Sequence, residues 1–205
     1  MARLNAVKTR NPVKTRSRIL GVAFEEVYRH GFRGASVNSI IDKTKLTKGA
    51  FFHHFPTKEA LGYAIADEIL CSLVLDRWVR PLDDYENPLE GISHNFKKII
   101  EAMPEEHLGC GCPLNNLIQE MAPEDPIFSE KLNAALEKWI NGVELNLKRA
   151  LARGFLRSGV NVRRLAEFIV MSHEGAFGMV KMLRSRKVFL GLQASLKDYL
   201  KTVQG

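Results

Sequence analysis

The chain has 205 residues, 45% of them apolar and 26% charged, which are ordinary values for one or two folded domains and exclude collagen-like, coiled-coil and wholly disordered chains. No apolar run approaches the ~20 residues of a membrane span, the basic N-terminal segment lacks the apolar block of a secretory signal, and Cys71, Cys110 and Cys112 make no disulfide framework, so a soluble, cytoplasmic protein with free thiols is expected. The net charge of +7 is unevenly placed: residues 1–60 hold 12 Lys and Arg against Glu25, Glu26, Asp42 and Glu59, and the remainder is close to neutral. Arg3, Lys8, Arg10, Lys14, Arg16 and Arg18 all precede the first acidic residue. Such an asymmetry suggests a polyanion partner for one end of the chain, either nucleic acid or an anionic membrane surface.

Apolar periodicity predicts an all-α fold of about nine helices. From Thr15, placed to cap, the residues Ile19, Leu20, Ala23, Phe24 and Val27 recur on one face up to about His30, and Gly31 can take the left-handed conformation that ends the helix. Ser36 caps a short helix with Val37, Ile40 and Ile41 on one face, and Thr44-Lys45-Leu46 turn the chain. Thr47 then caps a second short helix from Lys48 to His53, and Thr57, after Pro56, caps a third segment from Lys58. Two short helices joined by about three residues spell helix-turn-helix. Beyond them the chain reads as longer amphipathic helices: Lys58 to about Val79, Leu89 to Met103, Pro113 to Met121, Ile127 to about Arg153, a helix capped by Asn161 and reaching about Leu183, and Lys187 to about Val203. The expected divisions are a basic arm (1–14), a DNA-binding domain (15–60) and a larger domain (61–205).

A helix that reads bases needs a face that clears the major groove, and Gly49 and Ala50 are a small pair at the start of one. The same helix end offers unpaired backbone amides and a positive dipole to phosphate, while Thr47 and Lys48 add a hydroxyl and a charge. Phe51 and Phe55 read as core. His53 and His54 point about 100° apart, so they cannot both be buried, and a metal would want i, i+4 spacing instead.

The run Thr47-Lys48-Gly49-Ala50-Phe51-Phe52-His53-His54-Phe55-Pro56-Thr57-Lys58-Glu59-Ala60-Leu61, with Gly31-Phe32 and Ser36-Val37-Asn38-Ser39-Ile40 upstream, resembles the DNA-binding region of the TetR family of bacterial transcription regulators. The resemblance covers about residues 15–61 without a gap. It implies that Lys48, Gly49, Ala50 and His53 face base edges, that Asn38 reaches a base or the sugar-phosphate chain, and that Ser36, Thr47, Phe52, His54 and Lys58 lie along the backbone. Two departures stand out. Lys45 occupies a turn position that usually carries glycine, which forces a bulky residue toward positive φ but offers phosphate a cation. Phe52 stands where tyrosine is common and lacks its hydroxyl.

The same resemblance implies a homodimer, more simply a repressor than an activator, that places two recognition helices in successive grooves of a pseudo-palindromic operator and is released by a ligand. The dimer surface is expected from the last two helices, at Phe168, Met171, Gly175, Ala176, Gly178, Met179, Leu192 and Leu196. Each helical glycine costs about 1 kcal/mol against alanine, so Gly175 and Gly178 suggest a packing reason, either a partner helix or an internal groove. A chamber between Ala60 and about Leu156 is expected to take a small, mainly apolar effector, with Cys71, Val74, Trp78, Phe96, Met103, Leu114, Leu117, Met121 and Trp139 as lining or as plain core.

The stretch Gly109-Cys110-Gly111-Cys112-Pro113-Leu114-Asn115-Asn116 resembles a segment found in a subset of the family. It reads as a connector with buried thiols, as a ligand-responsive hinge, or as a thiol or metal switch through His107, Cys110 and Cys112, whose spacing matches no structural zinc pattern. No cofactor, metal or membrane partner is expected, and no catalytic motif suggests an enzyme. The alternative of a different class is a basic membrane-surface or protein-interaction module.

Overall fold

A computed structural model describes residues 11–205, so Arg3, Lys8 and Arg10 of the expected arm lie outside the described residues. The chain forms two compact units, the first ending at Ile65 and the second running from Ala66 to Gly205.

In the first unit, α1 (Pro12–Gly34) starts before the expected Thr15. The Asn11 side chain accepts from the amides of Val13 and Lys14 with proline in the first turn, a start that dispenses with a threonine cap. Gly31 breaks the helix at φ 75°, the left-handed geometry that favours glycine. Ser36 caps α2 (Val37–Thr44) through the Ser39 amide, Thr47 caps α3 (Lys48–His54) through Ala50, and Thr57 caps α4 (Lys58–Ala64) through Ala60. Ile19, Leu20, Ala23, Val27, Phe32, Ile40, Phe51, Phe55 and Leu61 close over one small core.

Polar ties fix the helices around that core. The Arg18 guanidinium donates to the carbonyl of Thr44 at the turn. Glu26, buried in α1, accepts from Lys43 of α2, and that hydrogen bond holds its carboxyl below the ordinary value against the opposing pull of desolvation. Arg16 lies 5.0 Å over the Phe55 ring.

The helical run expected from Lys58 to Val79 is subdivided after α4 by a π-helical turn (Ile65–Leu70), α5 (Cys71–Val74) and a second π turn (Leu75–Val79). Ala66, Leu70, Val74 and Trp78 are all buried. Repeated four-residue steps drift by about 40° each on a regular α-helix, and wider turns bonded from i to i+5 absorb that drift and keep the four on one face. A 3₁₀ turn (Arg80–Asp84) accommodates Pro81. There follow α6 (Pro88–Glu101), a 3₁₀ turn (Glu105–His107), α7 (Pro113–Met121), α8 (Pro126–Ala152), α9 (Val162–Leu183) and α10 (Lys187–Thr202). With α4, α5 and their π turns taken as the single expected run, nine helical segments stand among the described residues where about nine are predicted, and the fold is all-α. The one β contact among them is an isolated bridge between Leu156 and Gln204.

In the second unit α8 packs along α9, α9 along α10, and α10 along α6. Between them lies an aromatic cluster in which Trp78 stacks on Trp139 at 5.1 Å, His173 and Phe177 meet Trp78 edge-on, Phe96 tilts against it, and Phe189 closes edge-on over Phe96 and Phe177. The Val79 side chain comes within 2.5 Å of where a Cβ on Gly142 would stand, so only glycine lets the second π turn approach α8 this closely. Outside the core, Arg163 of α9 joins Glu137 and Glu144 of α8 with Glu167 of its own helix.

Candidate nucleic-acid interface and effector chamber

The two faces of α3 separate cleanly. Phe51 is fully buried and Phe55 nearly so, while Thr47, Lys48, Gly49, Phe52 and His53 are exposed and Ala50 and His54 half-buried. A Cβ on Gly49 would meet no atom within 4 Å, so nothing in the chain itself requires glycine there. A residue that costs helix stability and serves no internal contact leaves room for something outside the chain. Phe52 keeps 43% of its surface exposed, with its ring edge-on to the buried Phe51 at 5.2 Å.

Around this face, Ser36, Asn38 and Lys45 are exposed. Lys45 ends α2 in the left-handed conformation at φ 51° and ψ 41°, with its amide donating to Asp42 and Ile41, as the missing glycine implies. Lys58 is only half-exposed, because its ammonium donates to the Arg33 carbonyl at 3.1 Å and sits 5.1 Å over the Phe32 ring; two further N–H donors remain to it. Relieving the αL strain by Lys45→Gly is expected to stabilise the fold by up to about 1 kcal/mol, read as a raised urea midpoint. An unchanged or lowered midpoint would show that the lysine side chain supports the turn in some other way.

The α9 residues expected to pair two chains fall on both sides of that helix. Phe168, Met171, Gly175, Gly178 and Met179 form an exposed stripe that continues into Met182, which is 82% exposed. A Cβ on Gly175 or Gly178 would meet nothing within 4 Å, so no internal groove explains either glycine. Ala176 and Leu196 are corrected: both are buried inside the unit, Ala176 on the face of α9 shared with His173 and Val180, and Leu196 on the face of α10 shared with Leu200. Leu192 is half-buried.

All nine residues expected to line an effector chamber are buried. Trp78 and Trp139, with Leu82, Ile92, Asn95, Val143, Ile169 and His173, surround a cavity of only about 10 Å³, room for about one water. Phe96 packs on Trp78 and on His173 behind it. Cys71, Val74, Met103, Leu114, Leu117 and Met121 are packed elsewhere in the core and line no part of this cavity. A larger surface cleft of about 390 Å³ between α6 and α10 is lined by none of the nine. Sequence reasoning missed Asn95 and His173, although the spacing of His173 with Ile169, Ala176, Phe177 and Val180 puts it on the buried face of α9.

His173 is fully enclosed, and desolvation lowers its pKa to about 4, opposed in part by the carbonyl of Ile169 at its Nδ1. The next residue, Glu174, is pushed up to about 7 by burial, although the Cys112 thiol donates to its Oε1 at 3.2 Å and pulls the other way. Its Oε2 is buried with no hydrogen-bond partner among the described residues. Burial first, and then the Glu174 charge, push the Cys112 thiol well above its ordinary value. Cys112 is therefore a protonated donor and not a nucleophilic thiolate. Gly111 stands at φ 79° against Lys181, whose ammonium donates to Asn116 at 3.0 Å. Among the described residues no three His, Cys, Asp or Glu side chains gather as metal ligands.

A capped helix-turn-helix with a small, exposed reading face, followed by a helical unit with an aromatic interior, is the architecture of a regulator that binds DNA with one end and senses with the other. The chain matches the family described as bacterial regulatory proteins, tetR family, over residues 19–65, and the tetracyclin repressor-like C-terminal domain over residues 88–192. It is 26% identical over 157 residues to the HTH-type transcriptional repressor DhaR of Mycobacterium sp. (strain GP1), covering 77% of each chain. It is also 26% identical to the transcriptional regulator AcuR of Cereibacter sphaeroides, over 80% of this chain and 75% of that one. The crystal structure of a TetR transcriptional regulator from Chloroflexus aurantiacus J-10-FL superposes with a TM-score of 0.83 at 25% identity, over 95% of this chain and 98% of that one.

The chain belongs to the TetR family, and it is a DNA-binding transcription regulator. Regulators of this family bind DNA operators and small effectors and act as dimers. No helix among the described residues is long and apolar enough to cross a membrane.

Proposed function

We propose that this regulator is a homodimeric repressor of a pseudo-palindromic operator, released when a small, mainly apolar effector enters the second unit. The observation that carries the DNA contact is the exposed start of α3, where Gly49 has no internal role and Thr47, Lys48 and His53 surround it. Lys48, Gly49, Ala50 and His53 read base edges, and Asn38 reaches a base or the sugar beside it. Ser36, Lys45, Thr47, Phe52, His54 and Lys58 run along the phosphates, with the basic arm (1–14) ahead of the DNA-binding domain (15–60). One short helix spans too few base pairs for selectivity, and pairing doubles the site.

The stripe of Phe168, Met171, Gly175, Gly178 and Met179 on α9 supplies the partner contact, with Leu192 of α10 at its edge. Open glycines on an apolar helix face allow a second helix to approach closely. The larger domain (61–205) houses the effector, which must favour the arrangement that releases DNA, since equal affinity for both arrangements would shift nothing.

Selection from random DNA followed by a mobility-shift series in salt tests this reading. A dimer that neutralises on the order of six phosphates should lose affinity with a log–log slope of about −5, and Lys45→Gly should flatten it by about 2, one phosphate per protomer. Binding that ignores salt, or a purified chain that is monomeric and selects no sequence, would reject it.

A further inference from the structure

We propose that the effector site is the aromatic box bounded by Trp78, Trp139, His173 and Asn95, and that it takes an uncharged, flat molecule that donates a hydrogen bond. The inference rests on the effector-released reading above and deepens it by naming the ligand's chemistry.

The two side chains whose hydrogen bonds are fixed on the far side, His173 and Asn95, turn acceptors to the box. The Nδ1 of His173 faces the Ile169 carbonyl at 2.5 Å, which makes it the protonated nitrogen and leaves Nε2 with a lone pair. The Asn95 Nδ2 donates to the Arg77 carbonyl at 2.6 Å, which leaves the Oδ1 acceptor. The other lining residues, Trp78, Trp139, Leu82, Ile92, Val143 and Ile169, are apolar apart from the two indole N–H groups, which can only donate. A carboxylate or a bare ketone would set lone pairs against those of His173 and Asn95. No acidic side chain lines the cavity to balance an ammonium, and burying an unpaired charge is more costly than ring attraction returns. Burial also keeps His173 neutral at physiological pH, so it cannot serve as a cationic anchor for an anion. A hydroxyl on a flat ring donates to one of these acceptors, its oxygen can accept from an indole N–H, and its ring packs against the indoles.

The cavity is too small for a ring, and the element that can widen it carries one of its walls. Trp78 lies in the second π turn, whose wide winding holds one residue more than an α turn, and Trp139 opposite it lies on regular α8. Relaxation of that turn would rotate the Trp78 indole away from its partner and admit a ring in its place.

Trp78 and Trp139 are the two tryptophans of the chain, so emission excited selectively from tryptophan, clear of the four tyrosines, reports on this site alone. Phenol, anisole, benzoate and benzylammonium are titrated into the full-length protein, with tryptophan emission and release of a selected operator as paired readouts. Phenol is expected to change the emission saturably and release the operator, with an affinity about tenfold above that of anisole. Both charged analogues should bind at least about a hundredfold more weakly than phenol. His173→Phe keeps a ring and removes an acceptor, and should bring phenol and anisole close together; Asn95→Leu is the second variant should the first not fold. Emission indifferent to phenol, or anisole or a charged analogue binding as well as phenol, would overturn the inference. A protein that selects an operator yet ignores phenol loses the box but keeps its place as a regulator, whereas one that selects no DNA loses the regulator reading itself.

Discussion

Gly49→Ala is expected to make the protein more stable and a worse DNA binder. Gly49 lies inside α3 with negative φ, and a methyl group there meets no atom of the chain, so the substitution gains about 0.5–1 kcal/mol of helix stability per protomer. The same methyl stands on the face that must approach base edges, and pushes the backbone away from the groove in both half-sites. A loss of about 1–3 kcal/mol at each half-site lowers operator affinity by roughly thirtyfold or more. The opposite signs give the test its force, since a variant that merely unfolds would lose both quantities together. Urea unfolding beside operator titration measures the pair. Unchanged affinity in the stabilised variant would remove Gly49 from the interface and with it the placement of α3 in the groove.

The second large effect is a pair of opposed proton linkages on neighbouring residues of α9. The folded state raises Glu174 from 4.5 to about 7, so its contribution is complete at acid pH and is lost as pH rises through that interval. The folded state lowers His173 from 6.5 to about 4, so its contribution is complete above 6.5 and is lost as pH falls toward 4. Each is worth on the order of 3 kcal/mol across its window. Between about pH 4.5 and 6.5 the two slopes have opposite sign and nearly cancel.

Removing either residue exposes the other. Glu174→Gln keeps an acceptor for the Cys112 thiol, and its stability relative to the parent should rise with pH to a plateau above about pH 7. His173→Phe should show the reverse, a difference from the parent that worsens as pH rises from about 4 to 6.5. Urea midpoints across this range decide the matter. A parent-to-variant difference that does not change with pH would mean that Glu174 ionises in the fold as it does in water.

The helix-turn-helix was legible residue by residue because its signals are local. Ser36, Thr47 and Thr57 cap the next amides in reach, Gly31 breaks a helix where a left-handed residue is needed, and the Phe51 and Phe55 spacing marks one buried face. The strained Lys45 followed from the family resemblance, because the turn position it occupies usually carries glycine. The start of α1 was missed for an equally local reason, the neglected Asn11-Pro12 pair.

Long-range partnership is where sequence periodicity stops. An apolar residue on α9 or α10 is legible as facing something, but whether that something is its own unit or another chain depends on which neighbours fill the space, and so Ala176 and Leu196 moved inside while Gly175 and Gly178 stayed open. The same dependence hid the box: Trp78, Asn95, Trp139 and His173 come from four helical segments and meet only when α8 and α9 pack. The Cys112 thiol finds Glu174 across 62 positions of chain. Order along the polypeptide sets caps, turns and the charge of the DNA-binding end, because those energies arise within a few residues; burial, and the proton affinities that burial shifts, exist only once distant helices have excluded water.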